Sequence, residues 1–138
     1  MTAAPRYTAL VVDDEPENLA ILVAALSRAG MRVLVAEDGA AAVELVSAAA
    51  AAEQPDVVLL DVLMPGLDGY ATARKLRTIA GMGDVPIVFV TALGESRDRV
   101  RALAVDAVDF ITKPFRSDEV LPRILAYAEL RVLRRRLG

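Results

Sequence analysis

Asp56-Val57-Val58-Leu59-Leu60-Asp61 is the stretch on which the reading of the fold turns. Four apolar residues stand in a row between two carboxylates. A strand with one wet face alternates polar and apolar side chains. This run does not alternate, so it reads as a strand buried on both faces, as in parallel sheets. Asp56–Leu60 is the third of five such runs, with Ala9–Val12, Arg32–Ala36, Pro86–Val90 and Val108–Thr112. Helical patterns fill the spaces between them: Pro16–Ala29, Ala40–Ala52, Tyr70–Ala80, Glu95–Ala104 and Asp118 onward. The alternation predicts an α/β fold, a doubly wound five-stranded parallel sheet with right-handed crossovers.

The turn chemistry agrees. Asp14-Glu15-Pro16 reads as a helix start, with proline near the first position and acids near the positive end of the dipole. Gly30 is placed for a left-handed cap. Asp38-Gly39 opens the second helix, and Ser117-Asp118-Glu119 is an N-cap signal for the last. The alanine run Ala48–Ala52 reads as helix, because Ala is the best helix former.

Composition narrows the chemistry. The chain has 138 residues, 55% hydrophobic and 25% charged, which suits one packed domain and argues against disorder. It contains no cysteine and no histidine. Disulfide frameworks, thiol catalysis, His-based metal sites and Ser-His triads are therefore excluded. The net charge is −3. Residues 116–138 hold six Arg and three acids, so the tail carries +3 and residues 1–115 carry −6. An acidic body argues against nucleic-acid binding by the domain. The alanine run is too short to span a membrane, and Met1–Thr8 lacks an apolar signal core. A cytoplasmic protein is the expectation.

In open α/β sheets, ligands bind outside the carboxyl ends of the strands. Strand one ends in Asp13-Asp14-Glu15, strand three in Asp61, strand four in Thr91-Ala92 and strand five in Lys113-Pro114. Carboxylates, a hydroxyl and an ammonium thus converge on one edge. Clustered carboxylates repel one another unless a cation neutralises them, and Mg²⁺ suits a set of hard oxygen ligands. An Asp carboxylate can act as a nucleophile toward a phosphoryl group. Lys113, the Thr91 hydroxyl and the backbone N–H of Ala92 are then candidates to hold the equatorial oxygens.

Val11-Val12-Asp13-Asp14-Glu15-Pro16-Glu17-Asn18-Leu19, Asp61-Val62-Leu63-Met64-Pro65-Gly66-Leu67-Asp68-Gly69, Val90-Thr91-Ala92 and Asp109-Phe110-Ile111-Thr112-Lys113-Pro114-Phe115 follow in order. With these motifs the chain resembles the receiver domains of two-component response regulators. The resemblance covers about residues 7–128 and implies a flavodoxin-like sheet of order 2-1-3-4-5. It implies that Asp61 accepts a phosphoryl group from a histidine kinase or phosphotransfer protein. Mg²⁺ would be held by Asp14, Asp61 and the backbone carbonyl of Leu63, with Asp13 acting through water. Lys113 would pair with the phosphoryl oxygens, Thr91 would move toward them, and Phe110 would rotate inward. The Lys113–Pro114 bond would be cis. Leu63 and Leu93 would flank the path of attacking water and, being apolar, would make phosphoryl loss slow.

Two departures stand out. Asp106 occupies a place where relatives often have Gly, and Pro122 lies early in the last helix. The resemblance further divides the chain into a receiver over 1–128 and a C-terminal helical extension or linker over 129–138. Ala126, Leu130, Leu133 and Leu137 are spaced by four, three and four, a short coiled-coil-like seam. Leu121, Leu125 and Ala128 are expected to face the sheet, and Arg131, Arg134, Arg135 and Arg136 to surround the distal part. A homodimer through this helix or through the face of helix four, strand five and helix five is a candidate. The expected role is a phosphoacceptor switch, not an enzyme turning over a substrate. Two alternatives compete with it. A phosphorylation-independent interaction module would be expected to lose an acid or the lysine, and none is missing. A haloacid-dehalogenase-type phosphatase would need an Asp-x-Asp-x-Thr first strand, which Asp13-Asp14-Glu15-Pro16 is not.

Overall fold

The computed structural model describes residues 7–92 and 99–137, with Arg99 by its backbone only. The elements run β1 Thr8–Val12, α1 Pro16–Arg28, β2 Arg32–Ala36, α2 Gly39–Ala48, a 3-10 turn Ala51–Glu53, β3 Val57–Asp61, α3 Gly69–Arg77, β4 Ile87–Ala92, α4 Arg99–Ala104, β5 Ala107–Lys113 and α5 Ser117–Leu137. The strands form one parallel sheet in the order β2-β1-β3-β4-β5. This is the flavodoxin-like arrangement expected. Every residue of β3 is buried, whereas the edge strands β2 and β5 are mixed. The continuous apolar runs thus mark the inner strands. One core cluster lies on the sheet face covered by α2, α3 and α4, with Leu10, Leu60 and Phe89. The other lies under α1 and α5, with Val11, Leu59 and Ile124.

Local signals behave as chemistry requires. Pro16 opens α1, and Gly30 takes φ +86° after it. Asp38 caps α2 by accepting from Ala41 N–H at 2.7 Å. Asp106 sits at φ 54°, a conformation Asp tolerates better than most residues. The Lys113–Pro114 bond is cis. The last helix begins at Ser117 itself, so the cap lies one residue earlier. There the Arg116 carbonyl accepts from Glu119 and Val120 N–H, both at 3.1 Å. Pro122 lies beyond the first turn, yet α5 runs unbroken through it. The missing donor would have served the Asp118 carbonyl, and Asp118 is exposed, so water can take its place.

Two expectations fail. The alanine run is not one helix: α2 stops at Ala48, Ala49 is extended, and the 3-10 turn follows. The buried Gln54 explains the break, because its Nε2 donates to Val46 O at 2.9 Å and Ala80 O at 3.2 Å. These bonds tie the end of α2 to the turn after α3, and tertiary contacts override propensity. Arg131 is also not a solvated arginine. It is 2% exposed and donates to Asp56 Oδ1 at 2.6 Å. The buried face of α5 is Val120, Ile124, Ala128 and Arg131, with Leu121 and Leu125 only partly buried beside it. Among the described residues, no helix is long and apolar enough to cross a membrane.

Candidate functional site

Strand register brings the polar strand ends to one level. Val12 lies opposite Leu60, Asp61 opposite Val90, Thr91 opposite Thr112, and Ala92 opposite Lys113. Asp13 follows β1 directly, so Asp13, Asp61, Thr91 and Lys113 share the carboxyl edge of adjacent strands. Lys113 Nζ lies 3.0 Å from Asp13 Oδ2 and 3.5 Å from Asp61 Oδ2. Asp13, Asp61 and Thr91 are all buried, while Asp14 and Glu15 are exposed at the rim.

The electrostatics are unbalanced. Burial, then the Asp13 carboxylate, with Asp14 adding to both, push the Asp61 carboxyl up to about 7, and Lys113 offsets this only in part. Burial works against the charge on Lys113. The hydrogen bond to Asp13 and the fields of Asp61, Asp13 and Glu15 outweigh it and raise the ammonium above its ordinary value. Asp13, Asp14 and Glu15 each bring a carboxylate oxygen within 4.8 Å of the others. The Thr91 Oγ1 is buried with no hydrogen-bond partner among the described residues. A buried hydroxyl left unpaired is costly, and it marks a place for an external group. This donor set fits a hard divalent cation: several carboxylate oxygens, one ammonium and too little positive charge.

The loop after Asp61 depends on Gly69. A Cβ there would stand 2.3 Å from the Asp61 carbonyl oxygen, so only glycine lets the loop close. The Gly69 N–H then donates to Val62 O at 2.8 Å. Asp68 caps α3 by accepting from Ala71 N–H at 2.8 Å, and its second oxygen accepts from Arg101 at 3.2 Å. Leu63, on this loop, is 56% exposed. Ala92 is half-buried at the end of β4. Phe110 is half-buried and leans on Phe89 at 5.6 Å between ring centroids. Leu93 lies outside the described residues. Ala126, Leu130, Leu133 and Leu137 are exposed on α5 and are not part of this edge.

Two features escaped the sequence reading. Tyr70 continues the aromatic stack, 4.8 Å from Phe89, with Arg101 over its ring at 4.5 Å. Asp109 accepts from Arg123 and from Tyr127 at 2.7 Å, tying β5 to α5 beside Phe110. Both sets join residues remote in the chain, and no local pattern announces them.

The model of the response regulator receiver domain family matches residues 9–125. The chain belongs to that family. As a receiver domain it is similar over 117 residues, at 43% identity, to a probable transcriptional regulator, ycf27, of Guillardia theta. The match spans 85% of this chain and 43% of that one. It is 39% identical over 126 residues to the response regulator PleD of Caulobacter vibrioides, 91% of this chain and 26% of that one. The chain thus spans less than half the length of these two relatives. It covers 93% of the protein PilH of Pseudomonas aeruginosa, with 38% identity over 117 residues, 85% of this chain. Among solved structures it is similar to the receiver domain of the sensor histidine kinase PA1611 of Pseudomonas aeruginosa, which has a magnesium ion coordinated in its active-site cleft. That match has a TM-score of 0.78 and 30% identity, and covers 92% of this chain and 99% of that one.

Proposed function

We propose that this receiver domain is a phosphorylation-controlled switch in two-component signalling, with Asp61 as the phosphoacceptor. The unbalanced carboxyl edge carries the reading: buried Asp61 faces Lys113 at 3.5 Å, with the Thr91 hydroxyl, unpaired among the described residues, on the next strand. An Asp61 carboxylate oxygen attacks the phosphorus of a phosphohistidine on a histidine kinase or phosphotransfer protein. The O–P bond forms, the P–N bond breaks, and the imidazole leaves with the electron pair. Asp14, Asp61 and the Leu63 carbonyl would hold Mg²⁺, with Asp13 reaching it through water. The ion would supply positive charge against the carboxylates and the phosphoryl oxygens. Lys113 pairs with a phosphoryl oxygen, and Ala92 N–H and the Thr91 hydroxyl donate to the others.

The Thr91 hydroxyl finds its partner only in the modified form. Moving Thr91 opens space on the β4–β5 side, into which Phe110 rotates. Modification shifts the balance between two conformations, and partners read the face of α4, β5 and α5. That face, or α5 beyond it, is where a second copy docks. The receiver extends over 1–128, and 129–138 serves as a helical extension or linker.

Intact-mass measurement with Mg²⁺ and a small acyl phosphate tests the acceptor. One added phosphoryl group on the natural chain and none on Asp61→Asn is expected. Equal labelling of both chains, or of neither, overturns the assignment. Leu63 and Leu93 offer no polar group to orient water, so loss of the phosphoryl group is slow. A Leu63→Asn, Leu93→Glu double variant is expected to lose it about a hundredfold faster, the lower end of positioned proton-transfer assistance. An unchanged half-life contradicts that role for the two leucines.

A further inference from the structure

The face of α5 turned away from the sheet carries an apolar stripe with a matching charge pattern. Val120, Ile124, Ala128 and Arg131 are buried against the body. On the other side stand Ala126, Leu130, Leu133 and Leu137, the leucines 45%, 45% and 89% exposed. With Leu130 and Leu137 at a and Ala126 and Leu133 at d, Glu129 falls at g and Arg134 at e. Ala128 and Arg131 then fall at f and b, the positions that point away from a helix pair. The body therefore buries the back of this seam and leaves its front bare. The Arg131–Asp56 contact, with Arg131 Nη2 also 3.4 Å from Gly81 O, fixes the rotation of the distal helix in that orientation.

We propose that this stripe docks a second copy of the chain as a parallel two-stranded helix pair, Glu129 of each copy meeting Arg134 of the other. Parallel pairing sets each g residue beside the e residue of the following heptad on the neighbouring helix. Two-fold symmetry makes the Glu129–Arg134 contact twice. An antiparallel pair would instead set Arg134 against Tyr127, whose hydroxyl is already held by Asp109 at 2.7 Å. Val100, Leu103 and Val108 are also exposed, at 77%, 74% and 47%, but carry no such register. The seam is only about one and a half heptads long, so the association of this chain is weak and is best trapped covalently. The proposal refines the homodimer of the functional reading and needs no phosphoryl transfer. Testing it in Asp61→Asn as well keeps the two questions apart.

The absence of cysteine makes the test direct. Single Leu130→Cys and Leu133→Cys variants of the full chain are oxidised mildly and their same-residue disulfide dimers quantified. Such a bond needs Cα atoms within about 7 Å, which parallel a and d layers supply. Arg135→Cys, at f on the back of the seam, and Leu103→Cys, on α4, serve as controls. Both seam variants are expected to cross-link about tenfold faster than either control, as proximity dictates. In the Leu133→Cys background, Glu129→Arg or Arg134→Glu alone is expected to slow the reaction about tenfold. The double swap restores the rate, and Arg136→Glu leaves it unchanged. Equal rates at all four positions overturn the proposal. So do faster cross-linking of Leu103→Cys, and coupling of Glu129 to Arg136 in place of Arg134.

Discussion

Charged side chains are buried at both ends of the sheet, but on different terms. At the amino end Arg131 Nη1 meets Asp56 at 2.6 Å; its Nε has no hydrogen-bond partner among the described residues, but Asp84 stands 3.8 Å from it, so the charge is matched. The second oxygen of Asp56 accepts from Thr8 N–H at 2.8 Å. At the carboxyl end two buried carboxylates share the ammonium of Lys113, Asp61 is pushed up to about 7, and Thr91 Oγ1 has no partner among the described residues. Matched charges hold an element in place. Unmatched charges and an unpaired hydroxyl cost stability and leave a position for a ligand. The amino end therefore reads as construction, the carboxyl end as function.

The contrast has consequences that can be measured. The largest effect is expected at the amino end: Arg131→Met should lose about 3–4 kcal/mol in chemical denaturation, because it strands the Asp56 carboxylate. A loss under about 1 kcal/mol would erase the distinction between the two ends. At the carboxyl end the vulnerable element is backbone. Gly69→Ala should cost about 2 kcal/mol, since its Cβ would strike the Asp61 carbonyl at 2.3 Å. Near-wild-type stability would show that the loop has room the close approach denies.

Asp61→Asn should act in the opposite direction, raising stability by about 1 kcal/mol at pH 8 in chelator. The sign follows from the raised value. A carboxyl held protonated in the folded state contributes stability below its unfolded pKa near 4, and loses it as pH rises through about 7. The gain should therefore vanish near pH 4. It should shrink when Mg²⁺ is added, because an ion bound only by the folded natural chain stabilises that chain. A destabilised Asn variant at pH 8 would mean that the carboxylate is matched after all. The smallest effect should come from Thr91→Val. It removes a hydroxyl with no partner among the described residues, at nearly constant volume, and should change stability by less than about 0.5 kcal/mol. A larger loss would reveal a hidden bond.

The same contrast explains what the sequence disclosed. Val57–Leu60 and the other inner strands, β1 and β4, are buried on both faces, so their composition announces strands without help from alternation. A residue that ends such a run sits at the sheet edge by construction, which is why Asp13, Asp61, Thr91 and Lys113 were legible from strand ends alone. Arg131 was not legible. It lies in an arginine-rich stretch, and its partner Asp56 is 75 residues away. The break at Ala49 was hidden too, because it is imposed by Gln54 reaching across to Ala80, not by helix propensity. Tyr70, Phe89 and Arg101 join Phe110 only through packing.

The most direct test of the central claim is the paired intact-mass experiment on the natural chain and Asp61→Asn, with Mg²⁺ and an acyl phosphate. One phosphoryl group on the natural chain, absent from the variant and lost when Mg²⁺ is chelated before the donor is added, is the predicted result. A phosphoryl group that still appears on Asp61→Asn, or a natural chain that stays unmodified with its kinase or with any small donor, would contradict it.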